Sequence, residues 1–182
     1  MSAIASLTNT YAIDPSHSRL GFVVRHAMVT KVRGSFDEFG GSVTIDGDNP
    51  AASSVTVTAA LASINTGDEG RDGHLRSADF FDLENNASMA FTSTSIDAVG
   101  GNDYKVTGDL TIGAVTKPVT IDLKFAGAAT DPFGANRIGF EGRAEINRKD
   151  WGLKWNAALE TGGILVGEKV KLELDISAVA QG

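Results

Sequence analysis

Apolar and polar residues alternate one for one along most of this chain, and that period of two restricts the fold more than any other feature of the sequence. Successive side chains of a strand point to opposite faces, so sustained alternation belongs to an antiparallel sheet with one dry and one wet face. In the first long segment Leu20, Phe22, Val24, His26 and Met28 share one face, opposite Arg19, Gly21, Val23, Arg25 and Ala27. The pattern returns at Val55–Leu61, Tyr104–Ile112, Val119–Phe125, Ile138–Ile146 and Val170–Ile176. Between Phe36 and Phe39 the apolar parity slips by one, and Gly40 and Gly41 follow, as a bulge or bend in a long strand requires. With the segments around Tyr11 and Phe91 the chain has about eight strands, enough for a closed barrel or a two-sheet sandwich. Long strands and small residues at inward parity (Ala59, Gly108, Gly142, Ala144) favour a hollow barrel. The alternation breaks at Asp68–Asp82, which predicts a loop carrying a short helix.

Composition then removes whole classes of function. A length of 182 residues suits one domain, here residues 11–182 after a short N-terminal tail over 1–10. No apolar run reaches the roughly 20 residues of a spanning helix. The start MSAIASLTNT lacks the basic and apolar regions of a secretory signal, so the expected location is cytoplasmic. The absence of cysteine excludes disulfides, thiolate metal sites and thiol nucleophiles. A net charge of −7 with no basic block argues against a nucleic-acid partner.

Catalytic signatures are missing. There is no GxSxG elbow for a serine nucleophile, and 23 acidic residues offer carboxylate pairs by accident. His17, His26 and His74 show no HExxH or paired-His spacing, and no EF-hand loop or phosphate-cradling glycine motif occurs. No metal or cofactor is therefore expected.

The order of motifs carries further information. YAIDPSHSRLGFVVRH, RDGHLRSADFFD, FTSTSI, VTGDLTIGAVTKPVTIDLKF, INRKDWG and VGEKVKLELDISA, from Tyr11 to about Ala178, together resemble the YceI-like family. That resemblance implies an extended, lipocalin-like antiparallel β-barrel. It also implies an apolar channel that binds polyisoprenoids or similar long-chain amphiphiles, such as a polyprenyl phosphate or an isoprenoid quinone, often in a homodimer. The leading role on this reading is a non-catalytic carrier or sensor; the alternatives are an enzyme acting on an isoprenoid lipid and a ligand-free protein-interaction barrel.

On this reading the channel wall takes Leu20, Phe22, Val24, His26 and Met28 from the first long strand, then Phe36, Phe39 and Phe91. Tyr104, Leu110, Ile112, Phe140 and Trp151 complete it. His26 is either a buried neutral imidazole bonded to a carbonyl or a polar group meeting a ligand oxygen. Trp151 and Trp155 suit a packed plug at one barrel end, with ligand stacking as the second reading. The stretch from Gly70 to Asp82 admits two readings as well. Arg71 and Arg76 can tie the excursion down through Asp68, Glu69, Asp79 and Asp82, with Leu75, Phe80 and Phe81 as apolar anchor. Alternatively Arg71, His74 and Arg76 receive an anionic or carbonyl head group at the channel mouth.

Overall fold

A computed structural model describes residues 4–159 and 163–182. Among them the alternation resolves into eleven strands. These are β1 (Asn9–Ile13), β2 (Arg19–His26), β3 (Thr30–Phe36), β4 (Phe39–Ile45), β5 (Ser54–Ala60) and β6 (Ile64–Asn65). After helix α1 (Glu69–Arg76) come β7 (Ser88–Gly100), β8 (Asp103–Ile112), β9 (Val115–Thr130), β10 (Asn136–Asn147) and β11 (Val166–Ala180).

Eight strands close a ring in the order β1-β4-β5-β7-β8-β9-β10-β11, sealed by β1 against β11 with Tyr11 opposite Ala180 and Ile13 opposite Ala178. The length of β11 makes this possible. One of its edges pairs with β10 from Lys169 to Val179. The other serves β1 near its end and β2 from Val170 to Asp175, so β2, β3 and β6 extend the wall beyond the closed ring. Every pairing is antiparallel, which is the expected all-β barrel with its short helix in the 68–82 excursion.

The two faces separate as the alternation dictates. On β8, Tyr104, Val106, Leu110 and Ile112 are buried while Asp103, Lys105 and Asp109 are exposed. Outside, cross-strand partners pair by chemistry: Lys105 with Asp122 at 2.9 Å, the Thr107 and Thr120 hydroxyls at 3.0 Å, and Thr111 with Thr116 at 2.7 Å.

The parity slip marks a corner. β3 stops at Phe36 and β4 restarts at Phe39, with Asp37 and Glu38 in the bend. Main-chain bonds fasten it: Asp37 N–H donates to the Ser63 carbonyl, and Ala60 N–H to that of Glu38. The Asp37 carboxylate also accepts from Ser35 and from Asn65, each at 3.0 Å. Just beyond, a Cβ on Gly41 would collide with the Thr56 carbonyl oxygen, so only glycine lets β4 approach β5 there.

Of the small inward residues Ala59 lines the barrel's interior space as expected, whereas Gly108 has a different cause. A Cβ on Gly108 would strike the Phe91 ring at 2.5 Å, so that position is emptied for an aromatic neighbour rather than for lumen space. The N-terminal segment also differs from a tail. β1 begins at Asn9, Ile4 is 5% exposed within the core, and the Tyr11 hydroxyl donates to the Leu7 carbonyl at 3.0 Å.

A charged knot ties one end of the barrel. Arg137 donates from Nη1 to Asp14 and from Nε to Asp131, both at 2.8 Å, joining the end of β1 to the β9–β10 turn. Bonds from Ser16, Arg137 and His17 hold the Asp14 carboxyl well below the usual carboxylate range. Arg137 and the Ala135 N–H lower that of Asp131. Carboxylates depressed in the folded state stabilise it fully above their unfolded value of about 4, and this contribution is lost as pH falls through the folded value. Urea midpoints are therefore expected to fall on acidification below about pH 4, and less steeply in Arg137→Gln. An unchanged acid slope in that variant contradicts the assignment.

Candidate functional site

The barrel is not filled by its own side chains. A cavity of about 240 Å³ follows its interior, walled by carbon from nearly every strand. Ile13, Val43 and Ile176 line it toward the β1 end, and Leu153, Val166 and Val170 toward the other. Its lining on β11 alone extends from Val166 to Ile176, roughly 30 Å of strand at about 3.3 Å per residue, so the space is long and slender.

Arg148 is the one ionised side chain in this lining among the described residues. Only 5% exposed, it donates to four main-chain carbonyls: Gly167 from Nε at 2.8 Å, Leu153 and Trp155 from Nη1 at 2.6 and 3.0 Å, and Val166 from Nη2 at 3.1 Å. Burial lowers its pKa from the ordinary arginine value, and Glu168 opposes that shift. A guanidinium with every edge occupied by carbonyls is a fastener of the β10–β11 connection. The face of Phe80 lies 5.9 Å from its carbon.

A second cavity of about 300 Å³ adjoins the first, lined by Arg25, His26, Val32, Thr66, Gly70, Arg71, His74, Trp155 and Leu165. Phe22, Val24, Leu75, Phe80 and Val166 line both and so form the partition between them. Arg25, His26, Thr66, Arg71 and His74 give the outer space a more polar lining than the inner one, beside the rings of Phe22, Phe80 and Trp155. Phe80 stands in the partition, 5.2 Å from the His74 ring and 5.5 Å from that of Trp155.

Of the residues expected in the channel wall, Leu20, Phe22, Val24, Phe36, Phe91, Leu110, Ile112 and Phe140 line the inner cavity. Phe39, Tyr104 and Trp151 lie in the surrounding core instead; Trp151 donates its indole N–H to the Leu110 carbonyl at 2.9 Å. His26 is exposed and borders the outer cavity, so neither the buried imidazole nor the inner-channel position describes it. Met28 is outside the channel altogether, 57% exposed, because β2 ends at His26 and left-handed backbone at Ala27 and Met28 breaks the parity.

The excursion is anchored differently from the expected carboxylate network. Arg71 donates from Nε to the Thr66 hydroxyl and from Nη2 to the Thr66 carbonyl, at 2.7 and 2.8 Å. Arg76 donates to the carbonyls of Ala62 and Ile64, both at 3.1 Å. The carboxylates act locally. Asp68 caps α1 through the Arg71 N–H, buried Asp72 accepts from the Thr66 hydroxyl and N–H, and His74 pairs with Asp79 at 2.8 Å. Leu75, Phe80 and Phe81 do supply the apolar anchor, with Phe81 set edge-on 6.0 Å from Phe36. Arg71 and His74 border the outer cavity, and Arg76 does not.

No three His, Asp or Glu side chains converge as a metal site among the described residues. No helix among them is long and apolar enough to cross a membrane.

The chain is similar over nearly its full length to proteins of known sequence and structure. The model of the YceI-like domain matches residues 11–178. UPF0312 protein SAS2572 of Staphylococcus aureus (strain MSSA476) is 39% identical over 170 residues, 92% of this chain and 95% of that protein. Among solved structures, Burkholderia cenocepacia BcnA superposes with a TM-score of 0.80 at 25% identity, covering 91% of this chain and 98% of that one. The Campylobacter jejuni YCEI protein gives 0.73 at 26% identity, covering 87% and 90%. A polyisoprenoid binding domain from Saccharophagus degradans has the same fold, with a TM-score of 0.72 at 18% identity over 94% and 98%. The closed eight-strand ring, its slender apolar interior and the family match from Tyr11 to Ala178 agree, and the chain belongs to the YceI-like family.

Proposed function

We propose that this protein is a non-catalytic carrier that holds a long-chain polyisoprenoid lipid, a polyprenyl phosphate or an isoprenoid quinone, along the barrel. The observation that carries the reading is the inner cavity, long and narrow, with carbon walls and, among the described residues, a single charge whose every nitrogen already donates to a carbonyl. Such a space offers nothing to a polar substrate and no group to move a proton. It suits a slender hydrocarbon. A polyisoprenoid binding domain is built on the same fold, which is consistent with this use of the lumen.

Chain length decides affinity on this reading. Burying a methylene stabilises by about 0.8 kcal/mol, whereas association costs on the order of 4–15 kcal/mol, so short tails barely bind. The head group then occupies the outer cavity, where Arg71 keeps Nη1 without a partner among the described residues. Titrating the purified protein with prenyl alcohols of increasing length is expected to show affinity rising with length and then levelling off. Affinity independent of length refutes the carrier. Repeating the series with polyprenyl phosphates reads the head group: tighter binding assigns it as anionic, and equal binding as neutral. The homodimer belongs to the same reading, and light scattering checks it.

A further inference from the structure

The β2–β3 turn carries an unusual combination of residues. Ala27 and Met28 adopt φ of 51° and 67°, the left-handed region that glycine or asparagine occupies cheaply and these residues do not. At its tip Met28 and Val29 are 57% and 73% exposed. Directly below, the register sets Arg25 opposite Lys31, two like charges side by side on adjacent strands. From Arg19 to Phe36 the chain carries Arg19, Arg25, Lys31 and Arg33 and no carboxylate, in a protein whose net charge is −7. Among the described residues neither Arg25 nor Lys31 has an acidic partner. Strain, exposed carbon and unopposed cations coincide at one tip, and none of them helps the barrel fold.

The tip is also continuous with the outer cavity. Ala27 N–H donates to the Leu165 carbonyl at 2.7 Å, and Leu165 N–H to that of Ala157 at 2.9 Å. His26, Leu165 and Val166 line the outer cavity. We propose that this turn docks the barrel on an anionic lipid bilayer, Met28 and Val29 entering the acyl boundary while Arg25 and Lys31 meet the head groups, so that the outer cavity serves as a mouth open to the membrane. Charge complementarity selects this occupant. An overall acidic protein is repelled by an anionic surface everywhere except where its cations cluster, and the turn brings its apolar tip to that same place. The purpose of such docking rests on the carrier reading, since a long prenyl tail does not cross water freely, but its test does not need the cargo.

The experiment is sedimentation of the full-length protein with vesicles of phosphatidylcholine, alone or mixed with phosphatidylglycerol. Binding is expected with the mixed vesicles, weakening as salt is raised. Lys31→Gln should reduce it roughly fivefold, the worth of one cation at the surface. Met28→Ser with Val29→Ser should reduce it on the order of tenfold and leave prenyl alcohol binding in solution unchanged. Phe133, 94% exposed in the β9–β10 turn, provides the control: Phe133→Ser should bind vesicles as the parent does. No binding to mixed vesicles, or equal losses from Phe133→Ser and the Met28/Val29 pair, overturns the proposal. So does a Met28/Val29 variant that turns a dimer into a monomer while binding vesicles normally, because the tip is then a contact between copies. Vesicle binding without any prenyl alcohol binding would leave the docking surface standing and remove the carrier.

Discussion

Arg148→Met is expected to lower the unfolding free energy by about 3–5 kcal/mol, because several main-chain carbonyls lose their donor at roughly 1–3 kcal/mol each. The side chain holds the carbonyls of Leu153, Trp155, Val166 and Gly167, and methionine fills similar space while donating to none of them. The Val166 carbonyl keeps the Asn156 amide as a donor at 2.7 Å, but the half-buried residues Leu153, Trp155 and Gly167 lose the side-chain donor to their carbonyls, which is costly. For a chain of this size the melting temperature should drop by roughly 10 °C, at about 2–4 °C per kcal/mol. Arg148→Lys should recover only part of the loss, since an ammonium lacks the planar fork that reaches carbonyls on both sides of the connection. Urea melts of the two variants beside the parent decide it. A loss below about 1 kcal/mol in Arg148→Met would show that the carbonyls find other donors, and the segment from Leu153 to Gly167 would then owe its shape to something else.

Arg148 also shows what was legible in the sequence. Inward parity on β10 passes from Ile138 through Phe140, Gly142, Ala144 and Ile146, and Arg148, the first residue past the strand, keeps it and brings a cation among the wall residues. The face read from the sequence ends at Ile146 and misses Arg148, whose parity is the signal that could have found it. Its acceptors were not readable, because they are carbonyls of an irregular segment and a carbonyl leaves no trace in residue identity. The same limit applies to Arg71 and Arg76. Nearby aspartates suggest carboxylate partners, whereas the fold supplies Thr66, Ala62 and Ile64 main-chain oxygens at closer reach. Where pairing is periodic the sequence suffices. Wall residues from Leu20 to Val24, the corner after Phe36 and the helix in the excursion all follow from spacing. Periodicity fails at turns, which is why Met28 leaves the face that His26 and Val24 suggest for it. Closure fails too, since nothing local says that β11 divides one edge between β1 and β2.

Leu172→Trp tests the lumen itself. Leu172 faces the cavity from β11, between Ala144 on β10 and Phe22 on β2. A small neighbour on one side and a cavity in front leave the indole room to enter the lumen rather than displace the wall, so stability should change by less than about 1.5 kcal/mol. The hydrocarbon that would occupy that stretch has to stop short of it. If the indole excludes three or four methylenes, affinity for a long prenyl alcohol falls by about 2.5–3 kcal/mol, on the order of 100-fold. Length dependence sharpens the test. Short alcohols that end before Leu172 should bind the variant and the parent alike, and the length at which affinity levels off should move down. A damaged fold weakens all lengths equally, and a ligand bound outside the barrel is indifferent to the change. Calorimetric titration across a series of chain lengths separates these outcomes. A plateau at the same length in Leu172→Trp and the parent would mean that the tail does not pass this point, and the hydrocarbon would have to be sought elsewhere on the protein.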